Sequence, residues 1–281
     1  MNRNIHQTKA STVGRAVISG MLIAYSLIAV FLIGNALLSA FKTKQDLINN
    51  TFGWPRQFVL DNLHIVLVED GFFRNMLNSV LLVSMGTAML IATSSTAAYG
   101  LTMYSFRGSS FLGTYFTIGL MFPIQLGILP LFIMMKWLGL VNSLFGMALI
   151  YASNMSFSVV VFSRFFKGFE RSLLEAGRID GAGDLQTFLY LVIPVMRPVV
   201  FTVALLNFIM IWNDFFLPLV FLTKSTHRTL TLGIYSYTAN FLSNWNKVFA
   251  GVAVALVPII LIYLFFSEKI VEGLTSGAVK G

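Results

Sequence analysis

The chain contains no cysteine and only three histidines, and just 11% of its 281 residues are charged. Without cysteine there are no disulfide staples and no thiolate–metal centres. Soluble domains usually carry about 25% charged residues, so an ordinary soluble fold is excluded too. No G-x-x-x-x-G-K-[ST] loop occurs, so any ATP used must be hydrolysed by another chain. No period of 20 to 50 residues repeats. His6, His64 and His227 fall outside the apolar runs, and no second carboxylate accompanies Asp214 inside one. An intramembrane enzyme therefore has no dyad or metal set to work with, and no metal site is expected.

What the chain does have is apolar length. Hydrophobic residues make up 57% of it, and its mean hydropathy is +0.80. Crossing the hydrocarbon core takes roughly 20 apolar residues. Six segments qualify, at about 17–40, 75–100, 111–135, 144–164, 199–222 and 248–267. The expected fold is an all-α membrane protein with six transmembrane helices. The first run is too long for a signal-peptide core and reads as a retained span. The net charge of +8 points to phospholipid rather than nucleic acid, because the bases flank the spans. Eleven Lys/Arg fall on the side of the termini, including Arg3, Lys9, Arg15, Arg107, Arg164 and Lys167, against eight on the other, including Lys42, Lys44 and Arg56. That bias places both termini in the cytoplasm of a multi-pass cytoplasmic-membrane protein.

The expected organisation has three parts. Residues 1–74 hold the cytoplasmic N-terminus, first span and an outer loop, partly ordered at the interface around Trp54. Residues 75–268 form a five-helix core, and 269–281 a cytoplasmic tail. In the second span Ser84, Ala88, Ala92 and Thr96 recur every four residues, a small-residue face for close helix packing. In the third, Pro123 and Pro130 free the carbonyls of Gly119 and Leu126, so the helix should bend or break. Gln125 between them either lines a pathway or satisfies the kink.

Residues 170–198 are the long polar interruption, with Glu170, Glu175, Asp180, Asp184 and three arginines. Ser172 to Glu175 fits a capping box that starts a short helix running to Asp180. Gly181-Ala182-Gly183 permits a reversal. Asp184 can cap a second helix carrying Leu185, Phe188, Leu189 and Val192, stopped by Pro194 and Pro198 before the fifth span. The hairpin would present Leu173, Leu174 and Phe188 as docking knobs. Glu175 is either a helix-start carboxylate or a partner contact.

In the fifth span an ionised Asp214 costs roughly 2.5–3.5 kcal/mol at depth, so it must face protein or water. Pro218 frees its carbonyl, Asn207 shares its face and Asn213 adjoins it. Two readings stand: Asp214 holds helices together, or it binds a hydroxylated substrate with Trp212 stacking on a sugar face. The segment 223–247, with Tyr235, Tyr237, Phe241, Trp245 and Asn246, is either an interface belt or a contact for a partner.

Glu175-Ala176-Gly177, then Gly181, then Leu191-Val192-Ile193-Pro194 resembles the EAA motif of ABC-importer permeases, with its spacing kept. The departures are Gly177 for alanine and two apolar swaps, and Gly177 loosens the helix by up to about 1 kcal/mol. NSVLLVSMGTAMLIATSSTAAYGL, PIQLGILPLF, WLGLVNSLFG, WNDFFLPL and the terminal VEGLTSGAVKG extend the resemblance to the carbohydrate branch, of the shorter maltose-importer type, over residues 15–281.

The resemblance implies a type I ABC importer permease fold whose coupling hairpin docks on a cytoplasmic ATPase dimer. Glu175 would then pair with a base there, with Leu173 and Leu174 as apolar contacts, Ala176, Gly177 and Pro194 as motif positions, and Gly181 as the turn. It implies a second permease subunit, forming a heterodimer, and an extracytoplasmic substrate-binding protein touched by 223–247. Glu272 to Lys280 would reach between the ATPase subunits. The chain itself would hold no cofactor, since ATP and Mg bind the partners. A stand-alone secondary transporter or channel is the alternative. It calls for an internal repeat and several ionisable groups inside the membrane.

Overall fold

The computed structural model describes residues 3–238 and 245–276, with side-chain surroundings for 14–265 outside that gap and apart from Arg171, Ala176 and Arg178. All regular elements among the described residues are helical. The first crossing is α1 (Arg3–Ser39), followed by the short α2 (Lys44–Asn49) and α3 (Asp61–His64). The second is α4 (Phe72–Met103). The third is a bent pair, α5 (Ser109–Gly119) and α6 (Ile128–Trp137), joined by the 3-10 turn Ile124–Gly127. The fourth is the pair α7 (Leu144–Ser153) and α8 (Ser156–Lys167). Next come α9 (Arg171–Ile179), α10 (Asp184–Gln186), a π-turn over Thr187–Val192 and α11 (Ile193–Asn213), the fifth crossing. After α12 (Phe216–Phe221) and α13 (Leu230–Tyr237), α14 (Trp245–Ser276) makes the sixth. Four of these helices are long and apolar enough to cross a membrane alone, and six crossings result if each bent pair is one span.

Three expectations about these spans change. The third span bends by 97°, but only Pro123 breaks it. Pro130 is the third residue of α6, in the first turn, where a missing N–H has no carbonyl to serve. The fourth span, expected only as one apolar run at 144–164, bends by 49° without a proline. There the Ser153 hydroxyl donates to Ile150 O at 2.7 Å, and Asn154 leaves the helical region at ψ 48°. Such short polar side chains compete with the helix ladder. Pro194 and Pro198 do not stop the hairpin's second arm, because Asp184–Asn213 is one continuous span. The Ile193 N–H reaches back to Phe188 O, so the ladder is already widened to π spacing before Pro194.

The chain divides into two compact units, Met1–Gly71 with Ile234–Leu256, and Phe72–Gly233 with Val257–Gly281. The first unit carries α1 and a polar cap. Lys42, fully buried, donates to Asn50 O and Thr51 O at 2.9 and 3.0 Å. Its ammonium thus satisfies carbonyls at the C-terminal end of α2, where positive charge is favoured. Thr43 caps the start of α2. Asn62 donates to Ala40 O and Lys42 O and accepts from Asn246. Asp70 accepts from Tyr237 and Lys247 at 2.7 and 2.8 Å. Burial and then that carboxylate push the Tyr237 phenol well above its usual range.

In the second unit α4 is central and packs on α7, α8 and α11. Its buried stripe is Leu82, Gly86, Leu90, Ser94 and Ala98. At Gly86 an added Cβ would lie 3.3 Å from Ile211 and 3.4 Å from Tyr151, so the glycine permits the close approach. The expected packing face, Ser84, Ala88, Ala92 and Thr96, is exposed instead. The two stripes are offset by two residues, about 200° around a helix, and both recur every four. Ser84 and Ala88 help line an apolar groove of about 390 Å³ with Thr87, Phe201, Phe208 and Ile262.

Candidate functional site: the elbow and the Asp214 joint

The elbow forms as expected in outline and differs in its caps. α9 starts at Arg171, so Ser172 lies inside the helix and does not cap it. At the far end Gly181 has φ +81°, and the Ala182 N–H donates to Gly177 O at 2.9 Å. That six-to-one bond past a left-handed residue is a Schellman closure. Asp184 is the first residue of α10, not its cap. The Gly183 N–H instead donates to the Gln186 side chain at 3.1 Å.

The two faces of α9 have different surroundings. Glu175 is exposed, and no described side chain forms an ion pair or hydrogen bond with it. Leu173 is 39% exposed. Leu174, expected to be a knob, leans on the bundle core, and Phe188 is buried within it. Phe188 sits 5.0 Å from the Tyr99 ring, which also meets Phe166 at 5.6 Å. A large aromatic gains more from this burial than from standing in water. Partial burial, then the hydrogen bond to the Asp184 carboxylate, pushes the Tyr104 hydroxyl up to about 12. A Cβ on Gly177 would lie 3.6 Å from Thr187 and 3.8 Å from Leu191, an ordinary contact. Pro194 is half-buried in the continuous helix. The Ala176 side chain, Phe241 and residues 277–280 of the tail lie outside what is described.

Asp214 is a joint between helices. α11 ends at Asn213, and Asp214 turns to extended backbone at ψ 127°. Its Oδ1 accepts the Phe216 and Leu217 N–H groups at 2.8 and 3.4 Å, capping α12. Its Oδ2 accepts the Tyr151 hydroxyl at 2.8 Å, and its backbone carbonyl accepts from Thr231 at 2.9 Å. The fifth span thus stops nine residues short of the expected 222, and Pro218 sits harmlessly in the first turn of α12. Charge-assisted bonds of this kind satisfy a carboxylate away from bulk water.

The other pathway residues separate. Trp212 is buried and stacks on Phe208 at 5.5 Å with 16° between planes, so its ring is not free for a sugar face. Asn207 is buried and donates to Val203 O at 2.8 Å and to Ser158 at 3.5 Å. Asn213 is exposed and bonds back to Ile209 O at 2.9 Å. Gln125 is exposed in the 3-10 turn after the bend. Sequence reasoning missed Tyr151 and Thr231. A signal existed for Tyr151: a hydroxyl within an apolar run needs a polar partner, and Asp214 needs a donor.

Among the described residues no group of three or more metal-ligating side chains occurs. The elbow and crossings define a polytopic helical membrane protein with an acidic, solvent-facing elbow. Its fold matches that of a bacterial ABC transporter involved in import of the acidic polysaccharide alginate, with TM-score 0.81 and 23% identity over 92% of this chain and 97% of that one. The family described as "Binding-protein-dependent transport system inner membrane component" matches residues 86–273. The arabinooligosaccharides transport system permease AraQ of Halalkalibacterium halodurans is 31% identical over 90% of this chain and 92% of its own length. The diacetylchitobiose uptake system permease NgcG of Streptomyces coelicolor is 29% identical over 94% of this chain and 89% of its own.

The chain belongs to the binding-protein-dependent transport system inner-membrane components, the permease subunits of ABC transporters. It is a multi-pass protein of the cytoplasmic membrane that works with an ATPase and a substrate-binding protein. ATP hydrolysis belongs to the separate ATPase subunit.

Proposed function

We propose that this chain forms half of the translocation pathway of an ATP-driven importer for an oligosaccharide, with both termini in the cytoplasm. The arabinooligosaccharide and diacetylchitobiose relatives support that substrate class. The elbow α9–α10 docks on the ATPase dimer, Glu175 pairing with a base there and Leu173 adding apolar contact. The observation that carries this reading is the exposed Glu175 on a helix closed by left-handed Gly181, at the spacing of the EAA motif. Closure of the ATPase pulls two such elbows together and rocks the halves between inward- and outward-facing states. The second permease subunit, a different chain, covers the open stripe Ser84, Ala88, Ala92 and Thr96 of α4, where small side chains admit a helix closely. The segment 223–247 meets the substrate-binding protein, and the chain's C-terminus reaches between the ATPase subunits.

The test is Glu175→Ala. Losing one partner of a desolvated charge pair costs about 2–5 kcal/mol, so ATP-coupled uptake should fall at least about tenfold while the chain stays in the membrane. Wild-type uptake would remove Glu175 from this role. Purification separates the importer from a stand-alone transporter, since only the importer brings an ATPase and a second permease with it. Binding of a labelled sugar panel to the associated receptor identifies the substrate.

A further inference from the structure

The aromatic surface between α2 and α3 is held on a fixed backbone. Phe52, Trp54 and Phe58 are exposed, Trp54 to 73%. Yet Asn50 Nδ2 donates to Trp54 O at 2.7 Å, the Arg56 N–H to Asp46 Oδ2 at 2.9 Å and the Val59 N–H to Phe41 O at 2.9 Å. A Cβ on Gly53 would overlap the Asn50 side chain, so any larger residue there displaces the amide that holds Trp54 O. A segment tied so closely, with its rings outward, is built to present them.

Its height relative to a bilayer can be read from α1. The chain carries no charge between Arg15 and Lys42, and residues 16–33 are exposed apart from half-buried Ala29, while residues 34–40 are progressively enclosed. Twenty residues counted from Ala16 reach Asn35 and span about 30 Å at 1.5 Å rise, the hydrocarbon thickness. Phe31 lies four residues, about 6 Å along the axis, inside that limit. The Phe52 ring stacks on Phe31 at 6.2 Å with 27° between planes. Phe52 is therefore at the hydrocarbon edge, and Trp54 and Arg56 follow within four residues. The Arg56 side chain is 77% exposed although its Nε lies 3.8 Å from Asp46, so its guanidinium can also meet phosphate. Trp at headgroup level and a base beside it match a phospholipid surface.

We propose that residues 52–58 are a preformed wedge seated in the phospholipid headgroup layer at the C-terminal end of α1, Phe52 at the acyl edge and Trp54 and Arg56 among the phosphates. The wedge fixes the height of the cap against the bilayer. It does not depend on how the elbow couples to an ATPase.

Because the chain has no cysteine, a single nitroxide can be placed at Phe52→Cys or Trp54→Cys in the full chain. The labelled chain is put in nanodiscs of phosphatidylethanolamine and phosphatidylglycerol. Collisions with oxygen, which partitions into lipid, are compared with those of a water-soluble nickel chelate. The expected result is a severalfold excess of oxygen collisions at position 52 and a smaller excess at 54. Free access of the chelate at both positions overturns the wedge. So does protection that appears only once the substrate-binding protein is added, which would make the surface a receptor contact. Should the labelled chains fail to fold, unlabelled protein gives the same decision. Trp54→Phe should lower the share of tryptophan emission quenched by lipids brominated near the headgroup, and an unchanged share overturns the proposal.

Discussion

Glu175 and Asp214 are the two carboxylates that the sequence marks out, and their surroundings are opposite. Glu175 stands exposed on α9 with no described side chain bonded to it. Asp214 is bonded to α7 through Tyr151 and to α12 through two backbone N–H groups, and its carbonyl takes the Thr231 hydroxyl. A carboxylate already holding several donors has little capacity left for a ligand, whereas one that faces water can exchange its waters for a partner. The difference teaches that a costly charge in an apolar run can serve the fold, while a cheap charge on a surface helix is free to serve an assembly.

The comparison can be broken most forcefully at the joint. Asp214→Ala strands the Tyr151 hydroxyl and uncaps α12, and should cost about 3 kcal/mol or more, since hydrogen bonds to charged groups are worth about 1.5–3 each. Thermal unfolding followed by size-exclusion fluorescence measures it; an unchanged midpoint would mean that the joint does not hold the helices. The two stripes of α4 give a second contrast. Gly86→Leu forces side-chain atoms against Ile211 and Tyr151 and should cost about 1–3 kcal/mol of the chain's own stability, as overpacking does. Ala88→Leu on the open stripe should leave that stability alone and lower the yield of permease heterodimer in co-purification. Gly177→Ala is the mildest change. The methyl fits at 3.6–3.8 Å, and the helix should gain up to about 1 kcal/mol with uptake retained. Lost uptake there would show that the elbow needs glycine itself.

The spans, the elbow and its glycine turn were legible because each is written in local chemistry. Apolar length, a reversal at Gly181 and a break at Pro123 depend on a few consecutive residues. The buried stripe of α4 was not legible, since Leu82-Gly86-Leu90 and Ser84-Ala88-Ala92 share one period and only neighbours choose between them. Phe188 and Leu174 had helical spacing that suits either docking or burial. Trp212 read as a free ring, but Phe208, one turn earlier, already covers it. The bend at Asn154 had only a serine and an asparagine to announce it.

The sequence by itself determined that this is a helical membrane protein with up to six crossings and an acidic elbow, because hydrophobic length and backbone preference act within a segment. Tertiary structure alone decided which carboxylate was exposed and which was bound, which side of α4 faced inward and which rings were left uncovered. Those outcomes depend on donors and surfaces from distant parts of the chain, such as Tyr151 meeting Asp214, and a buried polar group takes whichever partner the packing brings within reach.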